Sequence, residues 1–267
     1  MPQPSPNTLQ ALGLPRWRLR VGAGSGADAV AQTVGGVTAP VSAPAQASDP
    51  RVASASARHA ARAGLDAATA LAASGHGKDV VETLEALRAE VSACQACALA
   101  GGRTQTVFGN GDPRARWMFI GEAPGRDEDA RGEPFVGKAG RLLGAMLNAL
   151  GLTREQVYVA NVVKCRPPHN RDPEAAERLA CRGYLDAQIR AVEPQLLIAL
   201  GRVAAASLLE TDAALGALRG RIHTLPGSEL PVLVTYHPAY LLRQPEHKAR
   251  VWADLLRARQ LVAPMVA

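Results

Sequence analysis

A chain of 267 residues, 47% of them hydrophobic, can hold one large domain or two small ones, although alanine in the first third inflates that share. The 30 basic against 24 acidic side chains leave a formal charge of +6, which permits a polyanionic partner without requiring one. No apolar run reaches the length of a membrane span, and Pro4, Pro6 and Pro15 interrupt any signal-like core at the start, so the expectation is a soluble, cytoplasmic protein with no membrane partner.

In chain order, residues 7–20 (NTLQALGLPRWRLR) carry leucines, a Trp and three arginines, too much apolar and basic character for a plain spacer. Residues 21–79 are rich in Ala, Gly, Ser, Pro and Val with few large side chains. Such a segment buries too little apolar area to offset its ordering entropy, and a disordered tether is expected, with weak helix around Ala53–Ala73. The texture changes at Asp79. Val80, Val81, Leu84, Leu87 and Val91 recur at helical spacing and lead into Cys94 and Cys97.

Trp117 to Ile120 is a short apolar run of the kind a buried parallel strand uses. A glycine-punctuated loop follows, holding five acids (Glu122, Asp127, Glu128, Asp129 and Glu133) and ending in Pro134-Phe135-Val136-Gly137. Leu142, Leu143, Met146, Leu147 and Leu150 then mark a helix that Gly151 stops. A second strand is expected over 157–163 and a polar loop over 164–171. Asp172 should be the N-cap and Pro173 the first residue of a helix reaching about Val192. Leu196–Leu200 is a third strand, followed by Gly201 and a helix from Arg202. Pro231–Thr235 is a fourth, ending at Tyr236-His237-Pro238, and a basic amphipathic helix spans about Pro245 to Val262. Four apolar strands alternating with helices predict an α/β fold, a three-layer α/β/α sandwich on a mainly parallel four-stranded sheet over residues 80–267. Ligands in such folds bind beyond the carboxyl ends of the strands, where the acidic loop lies.

The chain's only four cysteines are Cys94 and Cys97, a C-x2-C pair, with Cys165 and Cys181 far downstream. In a reducing compartment they are metal ligands sooner than disulfides. Four thiolates can close a tetrahedral zinc site or hold a cubane cluster, and spacing leaves the two even. Because Cys165 directly follows the second strand, the metal would clasp that loop to the leading helix.

The ordered motifs GEAPGRDED (121–129), PFVGKAG (134–140), NVVKCRPP (161–168) and HPAYLLR (237–243), with the cysteine pattern, resemble the family four, iron–sulfur type of uracil-DNA glycosylase. The resemblance runs from about residue 80 to the C-terminus. It implies a 4Fe–4S cluster on Cys94, Cys97, Cys165 and Cys181, with zinc the second choice. It also implies a monomeric, monofunctional enzyme that hydrolyses the N-glycosidic bond of deoxyuridine in DNA to start base excision repair.

The residues make chemical sense in those roles. The base must be flipped into a pocket and read on its Watson–Crick edge. The Asn161 amide can donate to uracil O4 and accept from N3–H, whereas cytosine would leave buried groups unpaired at about 1–3 kcal/mol each. Phe135 would stack on the base, a contribution of about 1–3 kcal/mol. A neutral His237 aimed at uracil O2 would stabilise the charge that develops there. The better-known branch of the superfamily carries Gln-Asp-Pro where this chain reads Glu122-Ala123-Pro124. Ala123 thus fills the aspartate slot of the substrate pocket, and water falls to Glu122 or Glu128, with Glu128 preferred; Asp127 and Asp129 are expected to order the loop or face solvent. DNA contacts are expected from Lys138, from Gly201-Arg202 at a helix start and from Arg243, and from Leu241 or Leu242 as a wedge, the other being core.

The first residues are also similar to the opening of the clamp-loader psi subunit, which implies a replication or clamp-loader partner docking on residues 7–20. Two rivals stand beside the glycosylase. One is a relative that traps itself covalently on uracil-DNA, yet the loop KCRPPHNRDP (164–173) lacks the basic insert that type carries. The other is a non-catalytic, cluster-containing DNA-binding module.

Overall fold

The computed structural model describes residues 79–262. The docking peptide and tether expected over residues 1–78 lie outside the described residues. Helix α1 (Val80–Ala93) opens where the Asp79 carboxylate accepts the Val81 N–H, and it buries Leu84, Leu87 and Val91. Val81, expected on the same stripe, faces solvent.

The short strand β1 (Asn110–Gly111) precedes β2 (Trp117–Gly121). The acidic loop contains a helix of its own, α2 (Arg126–Arg131), before α3 (Lys138–Leu150) ends on the left-handed Gly151. Then come β3 (Tyr158–Asn161), α4 (Ala175–Val192), β4 (Leu196–Leu200), α5 (Arg202–Leu209) and α6 (Leu215–Leu218). The chain closes with β5 (Ile222–Thr224), β6 (Pro231–Thr235), α7 (Pro238–Arg243) and α8 (Lys248–Leu261).

One sheet runs in the order β1-β3-β2-β4-β6-β5. Its four central strands, the four expected ones, are parallel. Among the described residues the sheet has six strands instead of four, because β1 and β5 add antiparallel edges. Both edges are too short and too polar, Asn-Gly and Ile-His-Thr, to carry a strand signal of their own. Every residue of β2, β3 and β4 is buried, which requires cover on both faces. One face packs Leu84, Leu87, Leu185 and Leu208 against Met118 and Ile120. The other packs Leu143, Leu147, Leu241 and Leu255 against Trp117 and Phe119. The three-layer α/β/α sandwich is the observed architecture.

Two helix starts differ from expectation. Helix α4 begins at Ala175, with Glu174 as its cap, because Glu177 folds back to accept the Glu174 N–H (2.7 Å) and a two-pronged contact from Arg171 (2.8 and 2.7 Å). Asp172 is drawn away from the helix to the guanidinium of Arg202 at 2.6 Å. Helix α8 starts at Lys248, with Pro245–His247 forming a separate single turn. No helix of the described residues is long and apolar enough to cross a membrane.

Candidate active site

Register brings the carboxyl ends of β2 and β3 level, with Gly121 beside Asn161. A Cβ on Gly121 would lie 2.4 Å from Asn161 Oδ1 and 2.7 Å from the Phe135 ring, so only glycine lets those two side chains approach so closely over the strand end. Asn161 is 2% exposed, and its Oδ1 has no hydrogen-bond partner among the described residues. Buried acceptors without partners are rare and call for an explanation.

Phe135 is buried and held at φ +57°, a left-handed conformation that costs a bulky residue energy unless its surroundings enforce it. Here they do. Glu128 accepts the N–H of Gly125 (3.1 Å) with one oxygen, and those of Val136 (3.1 Å) and Gly137 (3.0 Å) with the other. Arg154 donates to the carbonyl of Pro134. Asp129 is buried and accepts from Thr104 N (2.9 Å) and Oγ1 (2.8 Å), which makes it a loop-ordering residue, while Asp127 is exposed beside Arg126. Both carboxylate oxygens of Glu128, preferred on sequence for the water, are therefore engaged by the backbone.

His237 caps α7, its Nδ1 accepting the Ala239 N–H at 3.1 Å. In the neutral ring that acceptor role leaves the proton on Nε2. Burial, and then the positive charge of Arg243, push its pKa down to about 4, so the ring is neutral at physiological pH. Its centroid lies 5.5 Å from that of Phe135. Gly201, at φ +93°, turns the chain out of β4, and a Cβ there would come within 3.1 Å of the His237 Cβ. Gly121 is the site residue that sequence reading passed over, and Gly201, expected as a DNA contact, is found against His237 instead. Both stood in plain view as the breaks after apolar strands.

Glu122 is half-buried. Burial, and then the neighbouring carboxylate of Asp172, raise its pKa from 4.5 to about 7, against opposing pulls from Arg202 and Arg178. Ala123, assigned to the pocket on sequence, packs against the core on the α1, α4 and α5 side. Of the DNA-contact candidates, Lys138 is exposed at the first turn of α3 and Arg243 is exposed at the end of α7. Arg202 is tied to Asp172. Leu241 is core at 1% exposure, and Leu242 projects at 47%.

The cysteines converge at a second place. Cys94 ends α1, Cys165 follows β3, Cys181 lies within α4, and with Cys97 all four line one partly open cavity together with Arg103, Lys164 and Tyr184. Arg103 donates to Cys165 Sγ (3.2 Å) and to the carbonyl of Cys94 (2.8 Å). Burial raises the thiols of Cys97 and Cys165, and pushes Cys181 up to about 12. Among the described residues, no three His, Cys, Asp or Glu side chains are drawn together as ligands of a single ion.

The family model of the uracil DNA glycosylase superfamily matches residues 108–256, more than half of the chain. Three type-4 uracil-DNA glycosylases align over 68% of the chain. That of Sulfurisphaera tokodaii is 42% identical, with 86% of its length covered. That of Archaeoglobus fulgidus is 40% identical, with 94% covered, and that of Thermotoga maritima 40%, with 95% covered.

Proposed function

Because the chain belongs to the uracil DNA glycosylase superfamily, in its type-4 branch, we propose that it flips deoxyuridine out of DNA and hydrolyses its N-glycosidic bond, releasing free uracil. The observation that carries this reading is the convergence over Gly121 of Phe135 and the unpartnered Asn161 Oδ1, with a neutral His237 beside the Phe135 ring. A uracil ring there stacks on Phe135, gives its N3–H to Asn161 Oδ1 and turns O2 toward His237. As the C1′–N1 bond breaks, its electron pair moves onto the base and charge builds at O2. The Nε2–H of His237 meets that charge with a fixed dipole that needs no reorganisation.

Water then adds to C1′ of the oxocarbenium-like sugar. We assign its orientation to Glu122, whose raised pKa marks a carboxyl poised between states near neutral pH. Glu128, with both oxygens engaged by backbone amides, holds the Phe135 loop. Lys138, Arg202 and Arg243 take the phosphates, and the exposed Leu242 enters the stack that the base leaves.

The four thiols fit a 4Fe–4S cluster. They are soft donors set around a cavity instead of a single point, with the cations Arg103 and Lys164 at its wall. When bound, the cluster supplies negative charge and a cross-link between α1, the end of β3 and α4. We propose Cys94, Cys97, Cys165 and Cys181 as its ligands and that clasp as its role.

The test uses protein purified without air and an oligonucleotide with one uracil, with free base, denaturing gel and absorption spectrum read on the same sample. Turnover to free uracil and abasic DNA, with a broad blue-region band, is expected. Tight binding without free uracil, or a protein–DNA band that survives denaturation, overturns the reading. Zinc without iron overturns the cluster.

A further inference from the structure

Lys164 is one of the few charged side chains in the described residues with almost no exposure, 1%. A buried ammonium is costly unless it is paired and hydrogen-bonded. Its Nζ donates to the backbone carbonyl of Asn161 at 2.7 Å and to Gln188 Oε1 at 2.5 Å. Gln188 is fixed in turn by donating to the Phe108 carbonyl (2.9 Å) and to the Tyr158 hydroxyl (3.3 Å). On its other side Lys164 lines the cysteine cavity. Lys164 directly precedes Cys165, and its backbone N–H is directed to the sulfur of Cys181.

We infer that Lys164 is a positioning residue that couples the cysteine cavity to the base-reading Asn161, so that filling the cavity fixes the grip on uracil. The inference rests on the glycosylase reading above. A metal centre held by thiolates gives the ammonium the negative charge that no carboxylate beside it provides. Lys164 then stays anchored, and with it the carbonyl of Asn161. Without that centre no metal ties α1 and α4 to the end of β3, and the hold of Lys164 on the Asn161 carbonyl loosens with it. A purely structural lysine would support both sites without making one sense the other.

The discriminating measurement is binding, since coupling is a statement about two affinities or occupancies changing together. The probes are an oligonucleotide carrying one uncleavable 2′-fluoro-deoxyuridine and its thymidine counterpart. The proteins are wild type and Lys164→Met, each metal-loaded and metal-depleted, with iron content and visible absorption recorded. Loaded Lys164→Met should bind the uracil probe about tenfold more weakly, with unchanged affinity for the thymidine strand. Depleting wild type should cause a similar loss, and depleting the variant should add less than about twofold, the mark of coupled sites. Wild-type affinity in Lys164→Met, or losses that multiply, overturn the coupling. Should that variant fail to fold or load, Gln188→Met, which removes the other anchor without touching the cavity, carries the same test with a loss of about threefold. A loaded wild type with no preference for the uracil probe overturns the glycosylase reading itself.

Discussion

Asn161 and Cys165, four positions apart, belong to two sites that the fold builds in opposite ways. The pocket is made by rigid pieces: two strand ends in register, a glycine where a side chain would block, and a phenylalanine loop pinned by Glu128. Its pieces are each fixed by packing or hydrogen bonds within the chain, as the proposed site for an uncharged base needs them to be. The cysteine cavity is gathered from α1, the loop after β3 and the middle of α4, and its thiols are pushed toward the neutral form by burial. On the cluster proposal a metal centre completes it, and its thiol ligands lose their protons on binding. Preorganised recognition and ligand-completed structure therefore sit back to back.

That contrast predicts mainly rate defects on one side and mainly stability defects on the other. The largest effect should come from His237→Ala, a loss of about 10²–10³ in single-turnover uracil release, with a melting-temperature fall of only about 2–8 °C from the lost α7 cap. A wild-type rate would remove His237 from the reaction. Gly121→Ala should cost about 10²-fold, since the added methyl falls on Asn161 and Phe135 and misplaces the base by about an ångström. Retained uracil affinity in that variant would show that the base does not occupy the space over Gly121.

Across the boundary, Cys181→Ser should act mainly on stability. A cross-link closing a loop as short as that from Cys165 to Cys181 contributes about 3 kcal/mol in the chain-entropy picture. At about 2–4 °C per kcal/mol for a domain of this size, the melting temperature should fall by about 6–12 °C. An unchanged melting temperature would mean that no cross-link forms there.

The smallest effect concerns Glu122. Its folded pKa of about 7 lies above the ordinary 4.5, so its protonated form stabilises the fold fully below about 4.5, and that contribution is lost as pH rises through about 7. Catalysis should run the other way, with release rising through the same range as the carboxylate forms. Glu122→Gln should be slower by about tenfold at pH 8 and should lack that rise. A variant that keeps the wild-type profile would move the titration to another group.

Much of this was legible in the sequence because burial leaves a mark on it. The central strands had to be apolar on both faces, and they are the four runs that reading along the chain picks out. His237 stood out just beyond such a run, while Phe135 and Asn161 took their roles from the motifs that resemble the family. What stayed hidden depends on partners far away in sequence. Glu128 looks like a free carboxylate until the backbone amides of Val136 and Gly137 are seen on it. Asp172 has the spacing of a cap, but Arg202 claims it. Lys164 reads as one more base in a polar loop, and only folding shows it sealed beneath that loop. Leu241 and Leu242 are indistinguishable as letters, and helix phase alone sends one inward.

The two edge strands passed over on sequence have a consequence for how this protein behaves in a crowd. A sheet that ended on β3 or β6 would present an apolar row of free amides and carbonyls, a template on which another extended chain could grow. Here one edge stops after Asn110 and Gly111 and the other after three residues, and both run against their neighbours. Short, polar and reversed margins give an incoming strand little length to zip along. A basic protein that must sample a concentrated polyanion is thus denied an easy route into fibrils, and its sheet remains its own.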